Sequence, residues 1–107
     1  MKSPQPSFSV RRSLIKLGED IKTARLKRRI PMALLAERAF IGVSTLEKIQ
    51  KGNPSVSIGN YAAVIFALGM GAPFGELLNP GEDETGLALE KERLPKRIHG
   101  PRLKNKD

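Results

Sequence analysis

The residues of this chain best suited to chemistry are its bases, and they are gathered at one end. The 107 residues carry 19 Lys and Arg against 11 Asp and Glu, a formal charge of +8. Nine of the bases (Lys2, Arg11, Arg12, Lys16, Lys22, Arg25, Lys27, Arg28 and Arg29) fall in residues 1 to 30 with two acids, Glu19 and Asp20. Residues 31 to 81 balance at three of each. A basic block beside a neutral segment suits a polyanion, and nucleic acid is the commonest such partner. The alternative is a basic face that is merely solvated. Other chemistries are poorly served. There is no cysteine and one histidine, which excludes a disulfide framework, a thiolate metal site or a multi-histidine cluster within one chain. His99 stands beside Gly100 and Pro101 with no triad partner near it in sequence, and no glycine-rich phosphate loop follows a strand. An enzyme is not expected, and neither is a cofactor.

The elements that must position these bases read as helices. Residues 1 to 11 combine Ser, Pro and basic residues and read as a flexible basic arm. From Ser13, Leu14, Leu17, Ile21 and Ala24 recur at three- and four-residue steps, which predicts an amphipathic first helix ending near Ile30. Pro31 is well placed to open a second helix, running to Ala39. Ser44 to Lys51 reads as a third, with Leu46 and Ile49 on one face, stopped by Gly52, Asn53 and Pro54. Ser57 is a candidate N-cap for a fourth, whose stripe is Ile58, Tyr61, Ile65 and Leu68 and which Gly69 and Gly71 close. A short fifth helix is expected over Phe74 to Leu78. No strand pattern and no repeat is visible. The expectation is an all-α domain over residues 12 to 80, followed by a charged flexible tail over 81 to 107. The first residues lack the apolar core of a signal peptide, and no run of about 18 apolar residues occurs, so neither export nor a membrane span is expected.

Residues 32 to 51 form the unit with the most specific geometry. Two short helices joined by a tight turn let the first brace on a DNA backbone while the second enters the major groove. Their inner faces need small or apolar residues where they cross, and Leu35, Ala36, Ala39, Ile41, Leu46 and Ile49 meet that need. With "LGEDIKTARLKRRIPMALLAERA", "STLEKIQKGNPSVSI" and "YAAVIFALGM", this segment resembles the Cro/C1-type helix-turn-helix repressors, the XRE family, over about Leu17 to Leu78. The resemblance implies a five-helix, lambda-repressor-like DNA-binding domain. It places Gly42, Val43, Ser44, Thr45, Glu47 and Lys48 on the base-reading side of the third helix. Ser44 and Thr45 suit bases or phosphates, Glu47 a cytosine amino group, Lys48 guanine O6 and N7, and Val43 a thymine methyl. Lys27, Arg28, Arg29, Lys51 and Asn53 are the candidates for phosphate contact. Two departures stand out. Phe40 occupies the usual turn glycine, so Gly42 is expected to take part of the strain, with Ser44 as substitute cap. Arg25 matches an arginine that commonly pairs with a glutamate, but Gln50 fills the glutamate position; a neutral Gln can still accept one hydrogen bond from the guanidinium but cannot compensate its charge, so Arg25 is expected to be more exposed or to find another carboxylate.

Repressors of this kind resemble two-fold dimers on operator half-sites roughly 34 Å apart. Phe74, Leu77 and Leu78 are the expected homodimer anchors, with an ordinary core role as the alternative. The tail segment "GLALEKERLPKRIH" is similar to that of repressors encoded beside Hip-type toxins, so the whole chain resembles a HipB-type antitoxin, with the three-gene HipBST arrangement as the narrower resemblance. That implies an autorepressor of its own operon, cytoplasmic and nucleoid-associated when DNA-bound. It also implies a partner, a HipA-like Ser/Thr kinase toxin or its accessory subunit, met through Leu87, Leu89 and Leu94. A free-standing repressor without a toxin partner, and a pure protein-interaction module, are the competing readings.

Overall fold

The computed structural model describes residues 6–93. Among them are five α-helices, two short 3₁₀ helices and no strand: α1 Phe8–Lys27, α2 Met32–Arg38, α3 Val43–Gln50, α4 Ile58–Ala67, 3₁₀ helices at Ala72–Glu76 and Pro80–Glu82, and α5 Glu84–Arg93. The chain divides into two compact units between Phe74 and Gly75. No helix of the described residues is long and apolar enough to cross a membrane.

In the first unit, α3 packs on α1 and α2, and α2 packs on α4. Leu35, Leu46, Ile49 and Val64 are fully buried at the centre, with Ile21, Ala24, Ala36, Ala39, Tyr61 and Leu68 around them. Ala36 and Ala39 are small where α2 crosses its neighbours, as the close approach demands. The expected stripe of α4 is corrected. Val64 is fully buried, whereas Ile58 is 72% exposed and Ile65 only half-buried, because the inward row runs Tyr61, Val64, Leu68. Tyr61 anchors α4 to the loop after α3, its hydroxyl donating to the Asn53 carbonyl at 2.7 Å. Burial pushes the phenol above its ordinary pKa. The folded state therefore holds this proton where the unfolded chain releases it, so the stability tied to it is complete below about pH 10 and falls as pH rises further. Tyr61→Phe is expected to lower stability by about 1 kcal/mol near neutrality and to remove this alkaline step from the pH dependence of urea unfolding.

The first helix begins earlier than its apolar spacing indicates. Ser7 caps it, its hydroxyl accepting from the Val10 N–H at 3.2 Å, and Arg12 lies over the Phe8 ring. Residues 8–11, read as part of a flexible arm, are thus its first turn.

Each of the first four helices closes in one way. The residue after the C-cap takes a left-handed backbone, and the following N–H reaches the carbonyl five residues back: Ile30 to Arg25 (3.1 Å), Ile41 to Ala36 (3.0 Å), Asn53 to Lys48 (3.0 Å) and Met70 to Ile65 (3.1 Å). Glycine fills the left-handed position after α3 and α4, at Gly52 and Gly69, but Arg29 (φ 54°) and Phe40 (φ 58°) fill it after α1 and α2.

Phe40 therefore carries the strain of the α2–α3 turn by itself. Gly42 takes no share, having an ordinary extended backbone (φ −78°, ψ 159°) as N-cap of α3, and no side chain caps that helix, so Ser44 is not a substitute. Phe40 is 94% exposed, and its ring gains little from packing. A left-handed conformation costs a residue with a β-carbon roughly 1–2 kcal/mol, of which glycine's greater unfolded-state freedom takes back roughly half. Phe40→Gly is expected to raise stability by about 0.5–1 kcal/mol, seen as a higher thermal midpoint.

The second unit is held by local caps. Asn79 caps the Pro80–Glu82 turn by accepting from the Gly81 N–H (3.0 Å), and Asp83 accepts from the Gly86 N–H (3.0 Å) at the start of α5. The start of the segment over 81 to 107, expected to be a charged flexible tail, thus leads through Asp83 and Glu84 into a helix whose Leu, Ala, Glu, Lys and Arg residues favour it. The expected fifth helix over Phe74 to Leu78 is a 3₁₀ helix at Ala72–Glu76 instead. No residue from Gly75 to Glu92 is buried.

Candidate nucleic-acid interface

The α3 helix presents two opposite faces. Leu46 and Ile49 point into the core, which leaves Ser44, Glu47, Lys48 and Lys51 exposed at the i, i+3, i+4 and i+7 spacing of a single stripe. Gly42 and Val43 extend the exposed surface at the helix start, and Thr45 is half-buried at its edge. That surface offers a hydroxyl, a carboxylate and two ammonium groups, the mixture of donors and acceptors needed to address base edges. It stands on a rigid base, because α3 is locked to α1 at two points.

Both points are glycines. A β-carbon on Gly18 would lie 2.5 Å from the Ile49 carbonyl oxygen, and one on Gly52 would lie 2.6 Å from the Ile15 Cα. The backbones of α1 and α3 are thus in direct contact, so the exposed stripe of α3 is fixed relative to the basic helix α1.

Arg25 adds a polar lock: the hydrogen bond to Gln50 is present, and the expected exposure or carboxylate partner is corrected. The residue is buried, 9% exposed, and no carboxylate meets it among the described residues. Its Nε donates to the Gln50 Oε1 at 2.9 Å and its Nη1 to the Ile30 carbonyl at 2.9 Å. Neutral acceptors suffice because two well-formed bonds to a guanidinium offset much of its desolvation. A carboxylate at position 50 would make the bond charge-assisted on both sides. Gln50→Glu is expected to stabilise the fold by about 1 kcal/mol at neutral pH, read from urea denaturation.

The expected phosphate contacts fall in two places. Lys27, Arg28 and Arg29 are exposed at the end of α1, where the Arg28 Nη1 donates to the Ala24 carbonyl at 3.1 Å and its other side-chain N–H groups meet no acceptor among the described residues. Lys51 and Asn53 flank Gly52 after α3. They line an open concavity of ≈ 260 Å³ together with Arg11. Sequence reasoning left Arg11 in the arm. The signal that would have found it is Ser7 followed by Phe8 and Val10, an N-cap ahead of an apolar pair.

Of the expected partner contacts, Phe74 is half-buried in the first unit. In the second unit Leu77 and Leu78 are 69% and 88% exposed, and Leu87 and Leu89 are exposed on α5. An ordinary core role for Leu77 and Leu78 is thereby set aside. Leu94 and His99 lie outside the described residues.

The chain matches no family model, no curated protein and no solved structure.

Proposed function

We propose that this protein is a sequence-specific DNA-binding repressor of the Cro/C1 type, with a lambda-repressor-like helix-turn-helix domain in which α2 braces on the backbone of operator DNA and α3 enters the major groove. The observation that carries the reading is the exposed stripe Ser44, Glu47, Lys48 and Lys51 on a helix whose other face, Leu46 and Ile49, is fully buried. An α-helix fits a major groove about 12 Å wide, and the side chains of Ser44, Glu47 and Lys48 match the donor and acceptor pattern of base edges. Lys27, Arg28, Arg29, Lys51 and Asn53 supply phosphate contacts that set register. The protein binds and does not catalyse. It acts as a homodimer on a palindrome, as antitoxin and autoregulator of a Hip-type toxin–antitoxin operon, and its partner is a HipA-like Ser/Thr kinase or its accessory subunit. The exposed Leu77, Leu78, Leu87 and Leu89 support a protein-binding role for the second unit.

Selection from a random duplex library tests the reading: enrichment of one palindrome with half-sites about one helical turn apart is the expected result, and no enrichment at moderate salt would overturn it. Removal of residues 82 to 107 tests the narrower part. Loss of kinase-toxin binding with operator binding retained supports the antitoxin role of this segment, unchanged toxin binding would place the toxin contact outside residues 82 to 107, and no toxin binding by the full chain favours a free-standing repressor.

A further inference from the structure

We infer that Arg11, Lys51 and Asn53 together form a cradle for one backbone phosphate of duplex DNA, at the C-terminal end of α3 beside the face that reads the bases; the inference rests on the DNA-binding reading above. Three observations meet at the concavity after α3. The first is placement. Gly52 sits with its backbone against that of Leu14 and Ile15, so close that a β-carbon would lie 2.6 Å from the Ile15 nitrogen and Cα. Arg11 is one helical turn before Ile15 on the same face of α1, and this contact brings it to the same open concavity as Lys51 and Asn53.

The second is the fixing of Asn53. Its N–H donates to the Lys48 carbonyl at 3.0 Å and its own carbonyl accepts from the Tyr61 hydroxyl at 2.7 Å. Its Oδ1 accepts from both the Ser55 N–H and the Ser55 hydroxyl, each at 2.7 Å. With every acceptor engaged, the group of Asn53 left without a partner among the described residues is Nδ2, which carries two donors.

The third is charge. The lining of the concavity is Arg11, Ile15, Lys51, Gly52, Asn53 and Pro54, which includes two full positive charges and no carboxylate. A guanidinium, an ammonium and a preset amide are all donors, and a tetrahedral oxyanion has the acceptors to meet them. A duplex backbone supplies that oxyanion next to a helix already seated in the groove, which is why we assign the site to a DNA phosphate.

Arg12 gives an internal comparison. It is the next residue of the same helix, equally charged and exposed, but it lies over the Phe8 ring and lines a different concavity with Ser9, Ser13 and Lys16. In fluorescence anisotropy with the selected duplex and with a scrambled duplex, Arg11→Ala is expected to weaken both about tenfold, the effect of one charge-assisted bond. It should also reduce the slope of log K against log salt by about 0.9. Arg11→Lys should keep the wild-type slope, and Arg12→Ala should stay within about twofold of wild type, well under the effect of a lost phosphate contact. Arg11→Ala with wild-type affinity and slope, in a protein that still selects its palindrome, would overturn the cradle and leave the DNA-binding reading standing. Equal losses in the Arg11→Ala and Arg12→Ala variants would also overturn it, by showing a general charge effect. Failure of the wild-type protein to bind any duplex would overturn both.

Discussion

Replacing Gly52 by alanine is expected to cost the fold about 1.5–4 kcal/mol, the sum of a net left-handed penalty of roughly 0.5–1 kcal/mol and overpacking of roughly 1–3 kcal/mol. Gly52 has φ 74°, and its missing side chain is the space occupied by the α1 backbone at Leu14 and Ile15. Neither backbone can rotate away as a flexible side chain could, so the two helices must separate. Gly69 provides the comparison. It has φ 82° and nothing among the described residues within 4 Å of its β-carbon position, so Gly69→Ala should incur the net conformational term alone, about 0.5–1 kcal/mol. Urea titrations of the two variants measure the difference, with the slope of the transition checked to be unchanged. Small domains have only about 5–15 kcal/mol to lose, so Gly52→Ala should also lower the yield of folded protein. Equal losses in the two variants would contradict the direct α1–α3 backbone contact. The same contact holds the exposed stripe of α3 in register with the basic residues of α1, so under the proposed function Gly52→Ala should also weaken DNA binding.

The second large effect concerns reading. Lys48→Ala is expected to lower affinity for the best duplex by about 1–3 kcal/mol, tenfold or more, while changing affinity for unrelated duplexes far less. Stability should hold, because Lys48 is exposed and Ala favours a helix. The part of Lys48 used by the fold is its carbonyl, which accepts from the Asn53 N–H and which alanine retains. Arg28→Ala should behave differently. One side-chain N–H of Arg28 is held by the Ala24 carbonyl and the rest meet no acceptor among the described residues, so its loss should weaken all duplexes alike and flatten the salt dependence. Competition binding with selected and scrambled duplexes separates the two patterns. If Lys48→Ala gave the same uniform loss as Arg28→Ala, Lys48 would be a phosphate ligand and the base-reading face would need to be redrawn.

The helical class and most inward residues were legible because apolar spacing is a direct consequence of helix geometry: Leu35, Ala36, Ala39, Leu46 and Ile49 are all buried as their spacing requires. Other features depend on relations that spacing does not carry. The first turn of α1 was hidden because Phe8 and Val10 are exposed and Arg11 and Arg12 give it the composition of an arm, yet the Ser7 cap is enough to start the helix. The tail helix was hidden because its Leu87 and Leu89 are two apart and make no stripe, and it is capping and propensity that start it. Phe40 was legible as an anomaly, but its placement was not: the strain stays on that one residue because Ile41 must donate to the Ala36 carbonyl to close α2. The contacts of Gly18 and Gly52 with the backbone opposite join residues more than thirty positions apart, and their spacing alone says nothing of this.

The central claim is that the exposed face of α3 reads duplex DNA, and its most direct test is the ratio of affinities for the selected and a scrambled duplex at one salt concentration. For the wild-type protein a ratio of at least about 10³ is expected, as for specific DNA-binding proteins generally. In a variant with Ser44, Glu47 and Lys48 all changed to alanine the ratio should fall toward one, with unfolding stability held. A wild-type ratio near one, or a triple variant that keeps the wild-type ratio, would contradict the account.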